Sequence, residues 1–441
     1  MAAKYKSKIW YPCSQMKDFE DTPPIKIARG KGVFLYDTKG KRYFDAISSW
    51  WVNLFGHSNP DLNRVLKKQI DRLEHVILAG CTHEPAIKLA DELTNAAPKG
   101  LTKVFYADNG SSAVEVALKM SFQYWRQTAR TRKIFVALRG GYHGETVGAL
   151  SLGGMALYRK VFEPLLIDVK YADAPKCTDC PYGLNKESCA AECLSSLEDC
   201  VRLAGAANVS AVIVEPLIQC ANGMNMYPPA YLKKLKSFCL KENVHLIADE
   251  IAVGFGRTGR LFACEHAGIS PDFLCLSKGI TGGYMPFSAV LTGDRIYDAF
   301  YADYATGKAF LHSHSYTGNP LACVLALEVL RKFNEENVLE TLKERISVMS
   351  NCLEEISLLK NVRNTRQTGF VAAFDLVNGR NGSPYDTKLR IGRKAALSMT
   401  KSGYLMRPLG DTLYLMPPLI TPTKVLLDWK KAMIKVLRKL N

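Results

Sequence analysis

No apolar run in the 441 residues approaches the ~18 that a membrane-spanning helix needs. No membrane partner is therefore expected. Residues 1–19, MAAKYKSKIWYPCSQMKDF, lack the apolar stretch of a secretory signal, so export is not expected either. The chain has no internal repeat and no low-complexity linker. Charged residues make up 23% against 47% hydrophobic, which excludes a disordered chain, collagen and a coiled coil.

Positive charge, by contrast, is in excess. Fifty-eight Lys and Arg against 42 Asp and Glu give a formal net charge of +16. These residues are scattered, and no zinc-finger spacing or RNA-binding signature accompanies them. The densest run lies at 421–441, where Val425, Trp429, Met433, Val436 and Leu440 recur at helical spacing. The lysines between them read as the solvated face of that helix, and no nucleic-acid partner is expected. Thirteen cysteines, an odd number, are spread through apolar segments such as DFLCLSK. That usage fits a reduced, cytoplasmic protein.

At this length two or three domains are expected, with a core large enough to need no staples. Short apolar runs occur at 103–108, 133–138, 209–216, 244–249, 272–277 and 287–292. Helix-like stretches such as 111–129 and 230–242 lie between several of them. Continuous apolar strands alternating with helices predict an α/β/α large domain on a mainly parallel sheet, over 55–335. Residues 1–54 and 336–441 read as α+β, and they are expected to join in one smaller domain.

The stretch VHLIADEIAVGFGRTG (244–259) ends an apolar strand in Asp249. Ligand sites of open α/β sheets lie at the carboxyl ends of strands. A second apolar run, DFLCLS, leads into Lys278. A lysine at the end of a buried strand is desolvated, which favours the neutral, nucleophilic amine. Lysine and carboxylate together suggest pyridoxal phosphate, which needs a lysine for its aldehyde and an acid for its ring nitrogen. The literal G-x-G-x-x-G at 254–259 is out of place for a dinucleotide site, because Asp249-Glu250 separates it from the strand. Asn109-Gly110-Ser111-Ser112 follows a strand and opens a helix, as a phosphate cradle or as a plain cap. Tyr142 and His143, set among glycines at 140–144, are flat enough to stack on a ring or are ordinary loop aromatics. Cys177, Cys180, Cys189 and Cys193 have a spacing that zinc accepts. Thiols scattered round a surface loop read equally well, and no metal is assigned.

WYPCSQM (10–16), SSWW (48–51), NGSSAVEVALKM (109–120), GGYHGET (140–146), IADEIAVGFGRTG (247–259), SKGITGG (277–283), HSHSYTGNPLA (312–322) and MRPLGDTLYLMPP (406–418) occur in this order. Together they resemble the class III, fold-type I pyridoxal-phosphate aminotransferases. SSWW and LYLMPP are similar to the branch that aminates 8-amino-7-oxononanoate in biotin biosynthesis. Ala252, where many relatives of other specificity carry Gln, fits that branch. The resemblance implies that Lys278 binds the cofactor's aldehyde and shuttles the proton, while Asp249 pairs with the ring nitrogen. Tyr142 would stack on the ring, and Gly110 and Ser111 would hold the phosphate. Ser315 would reach that phosphate from the second subunit of a homodimer. Trp50, Tyr142 and Tyr414 would wall the substrate channel, with Ser313 also touching substrate. Arg407 would clamp the carboxylate of the oxo-acid. Arg257 matches a site arginine, or else is a turn residue that fixes its loop. SSWW favours adenosylmethionine as amino donor, whereas GGYMPFS (282–288) and HSHSYTGN favour lysine. Cys13 stands where an aromatic residue is common in the donor pocket. Adenosylmethionine is the donor preferred here, with lysine as donor to the same acceptor, or another class III ω-amino-acid aminotransferase, as the alternatives. A non-catalytic pyridoxal-binding regulator would need a DNA-binding module, and neither end of the chain has a helix-turn-helix pattern.

Overall fold

Each apolar run of the middle region forms a strand, because β-branched and aromatic residues covered on both sides favour extended backbone. A computed structural model describes residues 7–128, 130–185 and 189–440. Three short strands come first, β1 (Ile27–Lys31), β2 (Phe34–Asp37) and β3 (Arg42–Asp45). The central strands are β4 (Lys103–Ala107), β5 (Ile134–Leu138), β6 (Val169–Ala172), β7 (Val209–Val214), β8 (His245–Asp249), β9 (Phe273–Leu276) and β10 (Ser288–Thr292). They form one seven-stranded sheet in the order β4-β10-β9-β8-β7-β5-β6. Only β10 runs against the others. The chain is thus an α/β protein with a large, mainly parallel sheet.

Alternate strand residues face opposite sides of this sheet. Ile247, Phe273 and Cys275 pack with helix α1 (Gly110–Gln127), whereas Leu246, Ala248, Leu274 and Leu276 join the larger core on the other side. That core takes in Leu232 and Leu235 of α2 (Pro229–Lys241) and Leu325 and Val329 of α3 (Pro320–Glu335). Burial on both faces is why the strands read as unbroken apolar runs. Each fully buried Leu or Val contributes about 1.5–3 kcal/mol relative to exposure. The helix expected over 111–129 spans Gly110–Gln127, and Ala129 lies outside the described residues.

Beyond α3 the chain forms α4 (Val338–Ser357), β11 (Val362–Thr368), β12 (Val371–Leu376), α5 (Ile391–Lys401), β13 (Tyr404–Leu405), β14 (Thr412–Leu415) and α6 (Thr423–Leu437). Strands β11, β12 and β14 make one small sheet. In the other, β13 runs parallel to β3, pairing Tyr404 with Phe44 and Leu405 with Asp45. Strands from both ends of the sequence therefore share a sheet. Helix α6 buries Leu426, Trp429, Met433, Val436 and Leu437 and leaves Lys431 and Lys435 exposed, as are Arg438 and Lys439 just past its end.

Candidate active site

The carboxyl ends of β5, β7, β8 and β9 lie on one edge of the sheet, and the loops there enclose a cavity of about 470 Å³. Its lining includes Asp249, which ends β8, and Lys278, two residues beyond β9. Strands β8 and β9 are hydrogen-bonded neighbours with Asp249 opposite Cys275, so adjacent strands deliver the acid and the amine. Burial lowers the Lys278 pKa below the ordinary lysine value, while Asp249, Cys220 and Glu215 act in the opposite sense. The side chain is half-buried, with its accessible part on the cavity. Its Nζ lies 5.4 Å from the centre of the Trp51 ring. Lys278 also has φ of 46°, a left-handed backbone that costs a non-glycine residue about 1 kcal/mol. Strained residues of this kind cluster at functional sites.

Asp249 is 4% exposed. Its Oδ2 lies 2.7 Å from His143 Nδ1, and its Oδ1 accepts a 3.1 Å hydrogen bond from the Ile251 amide. His143 and Tyr142 come from the turn after β5. The Tyr142 amide donates to Glu215 Oε1 at 2.9 Å, and the Tyr142 hydroxyl donates to Glu145 at 3.1 Å. Burial is the first cause that raises the Tyr142 pKa, so the phenol stays protonated.

At another side of the cavity α1 begins. Asn109 caps it by accepting from the Ser112 amide at 3.1 Å, and Gly110 and Ser111 face the cavity. The amide-rich start of an 18-residue helix attracts an anion. Space there is tight. A Cβ on Gly110 would lie 2.9 Å from Ile251 Cγ2, and one on Gly144, where φ is +122°, would lie 2.1 Å from Ser111 Oγ. Half-buried amine, buried acid, aromatic ring and helix start fit an aldehyde, a ring nitrogen, a flat ring and a phosphate.

The profile of the class-III aminotransferases matches residues 16–437. The chain belongs to this family. It is 45% identical over 420 residues to the adenosylmethionine-8-amino-7-oxononanoate aminotransferase of Helicobacter pylori, covering 93% of this chain and 92% of that one. The enzyme of the same name from Geobacter sulfurreducens is 43% identical over 414 residues, covering 93% and 91%. Among solved structures, the Methanocaldococcus jannaschii enzyme of that name superposes with a TM-score of 0.92 at 37% identity, covering 98% of this chain and 97% of that one. A PLP-bound amine transaminase from an uncultivated Pseudomonas species gives 0.93 at 31% identity, with both chains covered completely. As a fold-type I, class-III aminotransferase, the chain uses pyridoxal phosphate.

Not every candidate of this aminotransferase meets in the cavity. Trp51, rather than Trp50, lines it. Residues 48–51 all have positive φ, between 48° and 74°, and this left-handed turn sends the two rings apart. Trp50 lines an adjoining cavity with Cys13 and Arg407, where the Arg407 guanidinium lies 4.6 Å from the Trp50 ring centre. Tyr414 is a correction to the expected channel wall. It is buried behind Trp51, and its hydroxyl accepts from Trp51 Nε1 at 3.1 Å. Of the two readings of Arg257, its contacts match the turn residue that fixes its loop rather than substrate contact. It is 1% exposed, and its guanidinium donates to the carbonyls of Pro417, Trp51 and Asn53. Ser313 and Ser315 are exposed and line no part of their own chain's cavity. The Ser315 carbonyl meets His75 Nε2 at 2.6 Å.

Sequence reasoning does not single out Glu215, although it directly follows the apolar run VSAVIV (209–214) much as Asp249 closes VHLIAD. That parallel was the available signal. Among the described residues, no group of three or more His, Cys, Asp or Glu side chains is placed to hold a metal ion. Also among these residues, no helix is long and apolar enough to cross a membrane.

Proposed function

We propose that this aminotransferase moves an amino group from S-adenosylmethionine to 8-amino-7-oxononanoate, giving 7,8-diaminononanoate for biotin synthesis. The observation that carries the reading is the placement of Lys278 and Asp249 on adjacent strand ends in one cavity. The names of relatives above 40% identity supply the substrates. Bound there, pyridoxal phosphate supplies an aldehyde that accepts an amino group and a protonated ring that withdraws electrons. Lys278, made more readily neutral by burial, would hold the aldehyde and carry the proton at its Nζ. Asp249 would keep the ring nitrogen protonated, with its own oxygens oriented by His143 and the Ile251 amide. Tyr142 would cover the ring. Gly110 and Ser111 at the start of α1 would hold the phosphate.

Arg407 suits the oxo-acid's carboxylate, because a guanidinium pairs with a carboxylate through two parallel hydrogen bonds. It stands beside the cavity rather than in it, as a longer substrate requires. We further propose a homodimer in which Ser315 of the partner subunit reaches the phosphate. The exposure of Leu311 (90%) and Tyr316 (64%) on the same loop supports a covering surface there. Donor and acceptor would use one site in turn, giving parallel initial-rate lines.

A donor panel tests the function, with 8-amino-7-oxononanoate as acceptor and adenosylmethionine, lysine, ornithine and alanine compared. Turnover with adenosylmethionine is expected. Turnover with lysine alone would replace the donor, and none with any donor would overturn the acceptor. Lys278→Ala should abolish the visible absorbance of lysine-bound cofactor, and its survival would overturn the site.

A further inference from the structure

We infer that Glu215 is a positioning residue of this site: it fastens the Tyr142–His143 turn to the end of β7 and places a second carboxylate opposite Lys278. The inference rests on the cofactor reading above but not on the choice of substrates. Glu215 directly follows β7, 5% exposed, and lines the same cavity as Lys278, Asp249 and His143. Both of its oxygens are occupied as acceptors. Oε1 takes the Tyr142 amide at 2.9 Å, and Oε2 takes the Cys220 amide at 3.0 Å. The Glu215 carbonyl accepts from the Tyr227 hydroxyl, so main chain and side chain are both tied.

An ionised carboxylate only accepts hydrogen bonds, which suits two amide donors. A protonated one carries an O–H that would confront one of those amides. Burial nevertheless raises the Glu215 pKa to about 7, helped by Asp249 and opposed by His143 and the two amides. The charged and titratable groups facing it are His143, Asp249, Cys220, Tyr227 and Lys278. Those acting on Lys278 are Asp249, Cys220 and Glu215. The carboxylate therefore joins two things the reaction needs. One is the seat of the Tyr142 ring. The other is the proton affinity of the nitrogen at Lys278, which a nearby anion raises.

Glu215→Gln keeps the size but loses the charge, and its amide N–H₂ opposes one of the two backbone donors. Glu215→Asp keeps the charge on a shorter arm. The experiment is a pH titration of the visible absorbance of each cofactor-loaded enzyme without substrate, together with cofactor affinity from equilibrium dialysis. Gln should lower the titration midpoint by at least about 0.5 pH unit. It should also weaken cofactor binding by about tenfold, one hydrogen bond to a charged group lost. Asp should leave the midpoint near that of the parent while still weakening the cofactor. A Gln midpoint equal to that of the parent, or an Asp midpoint as low as that of Gln, would overturn the inference. If Gln does not fold, Asp decides: unchanged cofactor affinity would overturn the positioning role. Failure of the parent protein to bind pyridoxal phosphate would instead overturn the cofactor reading, so the two failures are distinguishable.

Discussion

The guanidinium of Arg407 rests over the Trp50 ring, 4.6 Å from its centre, and donates a 2.6 Å hydrogen bond to the carbonyl of Cys13. Three distant stretches of sequence thus line one cavity: residue 13, the turn at 48–51 and the segment before β14. This arginine is held by a neutral carbonyl and an aromatic face, and among the described residues no carboxylate forms an ion pair with it. Arg407→Ala should raise KM for the oxo-acid by about 10- to 100-fold, the loss of a hydrogen bond to a charged group. The absorbance of bound cofactor should not change. Arg407→Lys should recover little, because an ammonium lacks the planar fork. Steady-state kinetics checks this, and an unchanged KM for the alanine variant would remove Arg407 from substrate binding.

The strand ends were legible in the sequence, because apolar runs stop where a sheet stops. Asp249 and Lys278 could be read on that basis. Strands β6 and β11 carry no such signal. The first is only four residues long, and the second, VRNTRQT, is polar, with Arg363, Asn364 and Thr365 exposed and the buried Arg366 paired with Asp375. Trp50 and Trp51 could not be told apart. Helix or strand periodicity assigns a face only when the backbone is regular, and residues 48–51 have left-handed φ throughout. Contacts that hold that turn include Ser48 Oγ donating to the Met416 carbonyl, Ser49 Oγ to Asp45, Trp51 Nε1 to Tyr414, and Arg257 to the Trp51 carbonyl. All but the Asp45 contact come from residues more than 200 positions away, so no local pattern announces them. Arg257 was ambiguous for the same reason, since its three carbonyl partners lie 160 or more positions away.

Gly144 tests the phosphate end. Its φ of +122° is unsuited to residues with a side chain, and a Cβ there would meet Ser111 Oγ at 2.1 Å. Ser111 Oγ already accepts from the Glu145 amide at 3.2 Å, so it has little freedom to withdraw. Gly144→Ala should therefore displace Ser111 from the helix start. Cofactor affinity should fall by about tenfold, the loss of one charge-assisted hydrogen bond. Equilibrium dialysis reads this directly. Retention of the parent affinity would mean that Ser111 takes no part in holding the phosphate.

Arg257 separates fold from chemistry. Its guanidinium ties the loop after β8 to the carbonyls of Trp51, Asn53 and Pro417. Burial opposes its charge, and Asp45 is the largest influence that favours it. Arg257→Ala leaves three buried carbonyls unpaired and a void, at a cost of roughly 3 kcal/mol. The thermal midpoint should drop by several degrees. Protein that remains folded should keep its KM for the oxo-acid, in contrast to Arg407→Ala. A raised KM with unaltered stability would return Arg257 to the substrate.

Glu250, adjacent to Asp249, gives a pH dependence whose sign can be worked out. It is fully buried, and accepts from the amides of Ala263 at 2.6 Å and Cys264 at 2.7 Å. Burial raises its pKa from 4.5 to about 7 despite those two bonds. A group whose pKa is raised on folding contributes stability below its unfolded pKa, and loses that contribution as pH climbs to the folded value. The window is therefore pH 4.5 to about 7. Within it, the parent should lose stability relative to Glu250→Gln at up to about 1.4 kcal/mol per pH unit. Taking the difference between parent and variant at each pH cancels the contribution of His245, which burial keeps neutral and which acts in the opposite sense. Thermal midpoints of both proteins from pH 5 to 8 should converge or diverge only up to about pH 7, and run parallel above it. A constant difference across the whole range would show that Glu250 stays ionised in the folded protein, held by its two amide donors.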